Sequence, residues 1–248
     1  MDEVKVGFSS AGTSLNVEAL QLQLETRFFA RGDRLLYLPI VTSTNSLAMQ
    51  MAHERPDEGM VVLTDSQTAG KGRQGRRWVD VSGCNVLSST LLRPLFPPHL
   101  LVMIASLAVV EAITESCGIS ATIKWPNDVL IEERKVAGIL IETSHDVSGQ
   151  LVAILGIGVN VNGYIQHVPA GASLVSQAQS AQSSLLTTAT TLEAECGHSV
   201  SRETFIASML QHIEADYLAL QHEARNSLLT TYGSPLSCSL RERWRNHL

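Results

Sequence analysis

The stretch TIKWPNDVLIEERKVAGILIETSHDVSGQLVAILGIGVNVN, residues 122–162, decides how this chain folds. It reads as a strand from Thr122 to Trp125, a hairpin through Asp128 to Ile131 and Val136 to Thr143, and a longer strand from Leu151 to Asn160. Polar Glu132 to Lys135 form the hairpin turn, and Pro126 denies the backbone a ladder donor at the first corner. Upstream, Leu100 to Cys117 is a long apolar helix that Gly118 can terminate. Asn85 to Leu92 is a strand broken by Pro94, Pro97 and Pro98, and Gly59 to Thr64 is a buried strand. After Thr44 as N-cap, Leu47, Ala48, Met51 and Ala52 recur at helical spacing. Downstream, Phe205, Ile206, Met209, Leu210, Ile213 and Tyr217 form one stripe of a helix from about Ser201 to Leu220. Beyond Arg225 the pattern fades. Helices and strands alternate without a fixed-period repeat, which favours an α/β or α+β domain over a solenoid or a bundle.

Composition narrows the function classes. A chain of 248 residues with 44% hydrophobic content can bury one substantial core, or a large domain beside a small one. A net charge of −6 excludes a surface built throughout to hold nucleic acid, so any anion site must be local. Cys84, Cys117, Cys196 and Cys238 lie far apart with no CxxC pair, which suggests neither a zinc ribbon nor a disulfide framework and fits a reducing, cytosol-like compartment. The histidines form no HExxH motif, and no protein-held transition metal is inferred. The start MDEVKVGFSS is acidic and lacks the features of an export signal, and the apolar run Leu100 to Val110 is too short to span a bilayer.

Four segments carry chemistry. Gly70-Lys-Gly-Arg-Gln-Gly-Arg-Arg-Trp78 gathers four of the eighteen basic residues among three glycines. Glycines let backbone amides approach a ligand, and arginines supply forked donors for phosphate or carboxylate oxygens. The loop has neither a P-loop ending nor dinucleotide-fingerprint spacing, and alone it reads equally as a solvated turn anchored by Trp78. Lys124-Trp-Pro-Asn-Asp128 sets a lysine, an amide and a carboxylate at a strand end, where an ordinary capped turn is the plain alternative. Lys135 precedes Val136-Ala-Gly-Ile-Leu-Ile141, and a glycine inside such a strand, here Gly138, often marks close approach of a ligand or another backbone; as a hairpin tip, Lys135 would be solvated. Gly156-Ile-Gly-Val-Asn-Val-Asn162 closes a strand with two glycines that relieve packing or admit a ring, and it can simply run into a turn at Asn162 and Gly163.

Taken together and in this order, Ser43-Thr44-Asn45, Gln67-Thr-Ala-Gly70 with the basic loop, KWPND and KVAGIL resemble the catalytic domain of the biotin protein ligase family, over roughly Leu35 to Leu220. The resemblance implies an α+β fold of the class II synthetase-like kind, a mixed and largely antiparallel sheet flanked by helices. It places the catalytic domain at residues 1–225, with 226–248 a short tail where relatives carry a small β-rich domain that is here truncated or absent. Carried over by position, the biotin site falls on Ser43, Thr44, Asn45, Gln67, Gly70, Lys71, Gly72, Arg73, Lys135 and Gly138. The ATP site falls on Arg73, Arg76, Trp78, Lys124, Asn127, Asp128 and Asn160, with Trp78 offering a face to adenine. Lys135, Arg73 and Asp128 are implied as catalytic: the cations gather two anions, and Asp128 orients or deprotonates an acceptor amine or helps hold magnesium, so the metal ligands stay unassigned.

The implied activity is MgATP-dependent conversion of biotin to biotinyl-5′-AMP with loss of pyrophosphate, then transfer to a lysine of a biotin carboxyl carrier domain, in the cytoplasm. The family usually has arginine where Lys71 stands, and a lysine lacks the guanidinium fork. No helix-turn-helix precedes residue 35, so neither a DNA nor a membrane partner is implied, while a homodimer through sheet edges is compatible with the family. Two rivals remain. Lipoate and octanoate ligases share the fold but not the GKGRQGRRW and KWPND combination, and a biotin-binding module without transfer activity would not require the whole phosphate-facing set.

Overall fold

The computed structural model describes residues 12–54, 57–163, 189–229 and 238–247. The acidic start at residues 1–11 and residues 230–237 of the expected tail lie outside them. Strands β1 (Leu35–Val41), β2 (Val61–Gln67), β3 (Asn85–Leu92), β4 (Thr122–Lys124), β5 (Asp128–Ile131), β6 (Arg134–His145) and β7 (Leu151–Asn160) form one seven-stranded sheet in the order β1-β2-β3-β7-β6-β5-β4. Only β1 and β2 run parallel. The helices are α1 (Val17–Gln23), α2 (Thr44–His53), α3 (Leu100–Cys117), α4 (Leu192–Cys196), α5 (Arg202–Leu229) and α6 (Cys238–Arg245). The mixed, largely antiparallel α+β sheet expected from the sequence is the one observed.

Boundaries differ where backbone chemistry intervenes. Gly59 takes φ +87° and belongs to the turn before β2, which starts at Val61. Glu132 and Glu133 both adopt positive φ, at 47° and 67°, and these two residues alone make the hairpin turn, so Arg134 and Lys135 lie inside β6. Ser43, not Thr44, caps α2: its Oγ accepts the Ser46 N–H, while the Thr44 N–H goes to Gln67 Oε1 at 2.8 Å. Helix α5 continues past Leu220 and Arg225 to Leu229.

The period of two along each strand divides the sheet into unlike faces. Ala137, Ile139, Leu155, Ile157, Val159 and Val86 point to one face and join α3 and α5 in the main core. Helix α3 is long and apolar enough to cross a membrane on length and composition, beyond what Leu100 to Val110 alone indicated; yet 61% of it is buried inside the protein, as in a core helix. On the opposite face, α2 covers Val62, Leu91, Val152 and Ile154 with Ala48 and Ala52. Past the end of that small core the same face carries the glycines.

Among the described residues, the outer side of α3 and α5 carries an ionic cluster. His212 lies 3.0 Å from Glu111 and 2.9 Å from Glu115, and Arg243 of α6 reaches Asp216 at 2.9 Å and also Glu111. Its hydrogen bond with Glu111, aided by the one with Glu115, raises the His212 imidazole from 6.5 to about 9. Burial pushes the Glu111 carboxyl up, but His212 and Arg243 overcome it and hold the group below its ordinary value. A histidine whose folded value lies above its unfolded one stabilises fully below pH 6.5 and loses that contribution as pH rises through about 9. Thermal melts from pH 6 to 10 should therefore show a decline across this window, on the order of 2 kcal/mol; His212→Gln should flatten it, and an unchanged decline would show that another group is responsible.

Candidate active site

The site forms where the backbone of the sheet is bare. On the α2 face, Gly138 pairs with Gly158 and Leu140 pairs with Gly156 across β6 and β7. A Cβ on Gly158 would come within 2.6 Å of the Trp78 indole, and one on Gly138 within 3.0 Å of both Trp78 and Lys135. The ring these glycines admit is thus the indole of the basic loop itself, and Lys135 Nζ stands 5.5 Å from its centroid as a cation over the ring. Lys135 is no solvated hairpin tip: Nζ lies 2.8 Å from Asp128 Oδ1, at 32% and 28% side-chain exposure.

At one end of this floor stands a polar wall. Gln67 Oε1 accepts from the Thr44 N–H at 2.8 Å and the Thr44 hydroxyl at 3.2 Å. Ser89 Oγ, buried, lies 2.8 Å from Thr44 Oγ1 and donates to Asn45 Oδ1 at 2.6 Å. Asn45 Nδ2 donates to Glu142 at 2.9 Å, and Glu142 also holds Lys71 Nζ at 3.0 Å. The Gln67 N–H lies 3.2 and 3.3 Å from the two oxygens of Asp80, whose carboxyl burial pushes up against hydrogen bonds from Ser66 and Gln67. Every one of these donors and acceptors is oriented by another, which fixes the wall before a ligand arrives.

The basic loop folds over the floor as a closed ribbon. Trp78 N–H donates to Gly70 O at 3.0 Å and Gly72 N–H to Arg76 O at 2.8 Å. Gln74 and Gly75 take left-handed φ of 57° and 73° at its tip. Arg73 donates to Asn127 Oδ1 at 2.8 Å, tying the loop to KWPND, whose Trp125–Pro126 bond is cis. Asn127 in turn donates through Nδ2 to Ile139 O at 3.2 Å and accepts the Ile139 N–H through its own carbonyl at 2.9 Å.

Two cavities result. One, with about 30 Å³ open to a water-sized sphere, is lined by Ser43, Thr44, Asn45, Gln67, Lys71 and Trp78 together with the glycine floor. The other, about 520 Å³, lies between β6 and the loop residues Gly70, Lys71, Gly72, Arg73 and Arg76. The structure thus gathers Ser43, Thr44, Asn45, Gln67, Gly70, Lys71, Gly72, Arg73, Arg76, Trp78, Gly138, Lys135, Asp128 and Asn127 along one cleft. Lys124, exposed, reaches it only through its strand pairing with Asp128. Asn160 is instead joined to Asn85 and Thr190 at 3.1 Å each, and through the Thr190 N–H to the Lys135 carbonyl at 2.9 Å.

The description "Biotin/lipoate A/B protein ligase family" fits a match over residues 37–162, just over half of the chain. A biotin–[acetyl-CoA-carboxylase] ligase of Paracoccus denitrificans is 35% identical over 196 residues, covering 77% of this chain and 72% of the relative. The chain belongs to the biotin/lipoate A/B protein ligase family. Another member, a bifunctional ligase/repressor of Bacillus subtilis, is 42% identical over 53% of this chain, which spans only 41% of that relative's length. Among solved structures of the family, the biotin protein ligase from Aquifex aeolicus in complex with biotin and ATP matches with a TM-score of 0.60 and 28% identity, covering 78% of this chain and 74% of that one.

Sequence reasoning missed Glu142, Ser89 and Asp80. Glu142 follows Gly138 and Leu140 at strand period on the same face, and that alternation was the available signal. Ser89 and Asp80 carried none, because only the pairing of β3 with β7 and the return of the loop bring them to the wall.

Proposed function

We propose that this chain activates biotin with ATP and then joins it to an acceptor lysine. What supports this most directly is the placement of Lys71, Arg73, Arg76 and Lys135 around a glycine-floored cleft with a fixed polar wall at one end. Thr44, Asn45, Gln67 and Ser43 suit a ureido ring, which presents one acceptor and two donors. Gly138, Gly156 and Gly158 leave room for a flat bicycle against the sheet. Lys71, Arg73 and Lys135 would face the biotin carboxylate, and Arg73, Arg76, Lys124, Asn127 and Asp128 the nucleotide phosphates.

In the first step the carboxylate oxygen attacks the α-phosphorus and pyrophosphate leaves. The cations stabilise charge that spreads over the phosphoryl oxygens, an electrostatic task needing no covalent enzyme intermediate. In the second step a lysine amine attacks the mixed anhydride, AMP leaves, and Asp128 would take or orient the amine proton. Among the described residues no group of three His, Cys, Asp or Glu side chains is arranged to hold a metal ion. Magnesium, however, takes one or two carboxylates and completes its shell with water and phosphates, so Asp128 and the nucleotide can hold it; it would neutralise phosphate charge. Asn160 acts through Thr190 on the Lys135 backbone, which makes it a positioning residue in this reading. The acceptor is a biotin carboxyl carrier domain, as the name of the Paracoccus relative suggests. The compartment is the cytoplasm, a reducing environment that suits four cysteines spaced far apart with no CxxC pair.

Purified protein given MgATP and radiolabelled biotin should release pyrophosphate and label a carrier domain, while lipoate and octanoate should not compete. Binding of biotin without pyrophosphate release would leave a biotin-binding module, and preferential use of lipoate would move the chain to the other branch of its family.

A further inference from the structure

We infer that Arg243 is a positioning residue for the nucleotide side of the cleft, acting through helix α6 on strand β4; this rests on the ligase reading. Strand β4 has three residues and pairs only with β5, in the register that sets Lys124 opposite Asp128. Among the described residues it is the last strand of the sheet, and no further strand pairs with its outer edge. So short an edge strand has little pairing to hold it. Its missing partner is supplied by the segment after α6: the Ile123 N–H donates to the His247 carbonyl at 2.6 Å. Ile123 is adjacent to Lys124, the first residue of KWPND, so this bond sits at the root of the loop that Arg73 grips through Asn127.

What holds α6 in place is Arg243. Its guanidinium spans Asp216 of α5, at 2.9 Å, and Glu111 of α3, while the neighbouring Trp244 packs on the main core. Burial pushes the Asp216 carboxyl up and Arg243 pulls it back, so loss of the arginine would leave a half-buried carboxylate without its counter-charge. Arg243 sits on no cleft wall, and its influence on the reaction has to pass through α6, His247, Ile123 and the β4–β5 corner. That path ends at Lys124 and Asp128, touches the biotin side only through the Asp128–Lys135 ion pair, and bypasses the polar wall around Thr44, Asn45 and Gln67 that would hold the biotin ring. An effect confined to the nucleotide half is therefore the signature that separates positioning from general loosening.

In the full-length protein, Arg243→Ala should raise the KM for ATP about tenfold, the scale on which sub-ångström misplacement acts, while the KM for biotin stays within about twofold of wild type. Amide exchange at residues 121–128 should speed up, and Arg243→Lys, which keeps one of the two contacts, should fall between on both readouts. If the alanine variant does not fold, Arg243→Lys carries the comparison alone. Unchanged exchange at residues 121–128, or equal rises in KM for ATP and biotin, would overturn the inference and reduce Arg243 to a stabilising contact. Failure of the wild type to form an adenylate would remove the ligase reading, and the exchange measurement would still decide the brace.

Discussion

Lys135→Ala should lower the rate of pyrophosphate release from ATP and biotin by about a hundredfold to a thousandfold, the range seen when one charge-stabilising donor is removed. The expectation follows from where Nζ lies: 2.8 Å from Asp128, over the Trp78 ring, and above Gly138 at the middle of the cleft. From there one ammonium can reach a carboxylate on the biotin side and a phosphate on the nucleotide side. The ion pair with Asp128 is about one-third exposed at each partner, so the substitution should change the melting temperature little. Two departures would be informative. A normal rate would remove Lys135 from the chemistry and leave Arg73 as the central cation. A lost rate together with a large loss of stability would mean the lysine holds the cleft together, and Lys135→Arg would then separate the roles, because a guanidinium keeps the charge but not the point-like geometry.

Lys135 also shows what the sequence could and could not settle. A run of Glu-Glu-Arg-Lys between two apolar strands looks like a solvated tip, and only the resemblance argued otherwise. The structure resolves the choice through backbone conformation: Glu132 and Glu133 absorb the whole turn at positive φ, so Lys135 enters β6, and the register shift opposite Val129 and Leu130 breaks the alternation that would otherwise put it on the core face with Ala137. Strands β3 and β7 and helix α3 were legible to the residue, because apolar runs and Gly118 mark them directly. Helix α4 was not, since five residues carry no period. Nor was Ser43 as cap, because Ser43 and Thr44 are equivalent cap residues and the Gln67 side chain, which takes the Thr44 N–H, decides between them. The two glycines of β7 read from the sequence either as relief of packing or as room for a ring. In the structure Gly158 gives room to the Trp78 indole.

Gly156→Ala should sharply weaken biotin binding. A Cβ there would meet Asn45 Oδ1 at 2.1 Å and Cγ at 2.8 Å, far inside contact distance. Asn45 cannot swing aside cheaply. It is buried at 4% exposure, its Oδ1 takes the Ser89 hydroxyl at 2.6 Å, and its Nδ2 donates to Glu142 at 2.9 Å. Moving it leaves the Ser89 hydroxyl with Thr44 alone and Glu142 with Lys71 alone, two hydrogen bonds lost at about 1 kcal/mol each, so stability should fall by about that much. Affinity for biotin should fall at least tenfold, measured by calorimetry, because Asn45 sits beside Thr44 and Gln67 in a hydrogen-bonded wall that is oriented in advance. The KM for ATP should move far less, since Gly156 faces Asn45, while the contacts of β7 with the nucleotide side lie further along the strand at Gly158 and Asn160. The double variant Gly156→Ala with Asn45→Gly supplies the control. Removing the amide relieves the clash but still deprives Ser89 and Glu142 of Asn45, so neither the lost stability nor the biotin affinity should return. Recovery of affinity along with stability would show that Asn45 merely fills space, and the polar wall would then have to be reassigned to Thr44 and Gln67 alone.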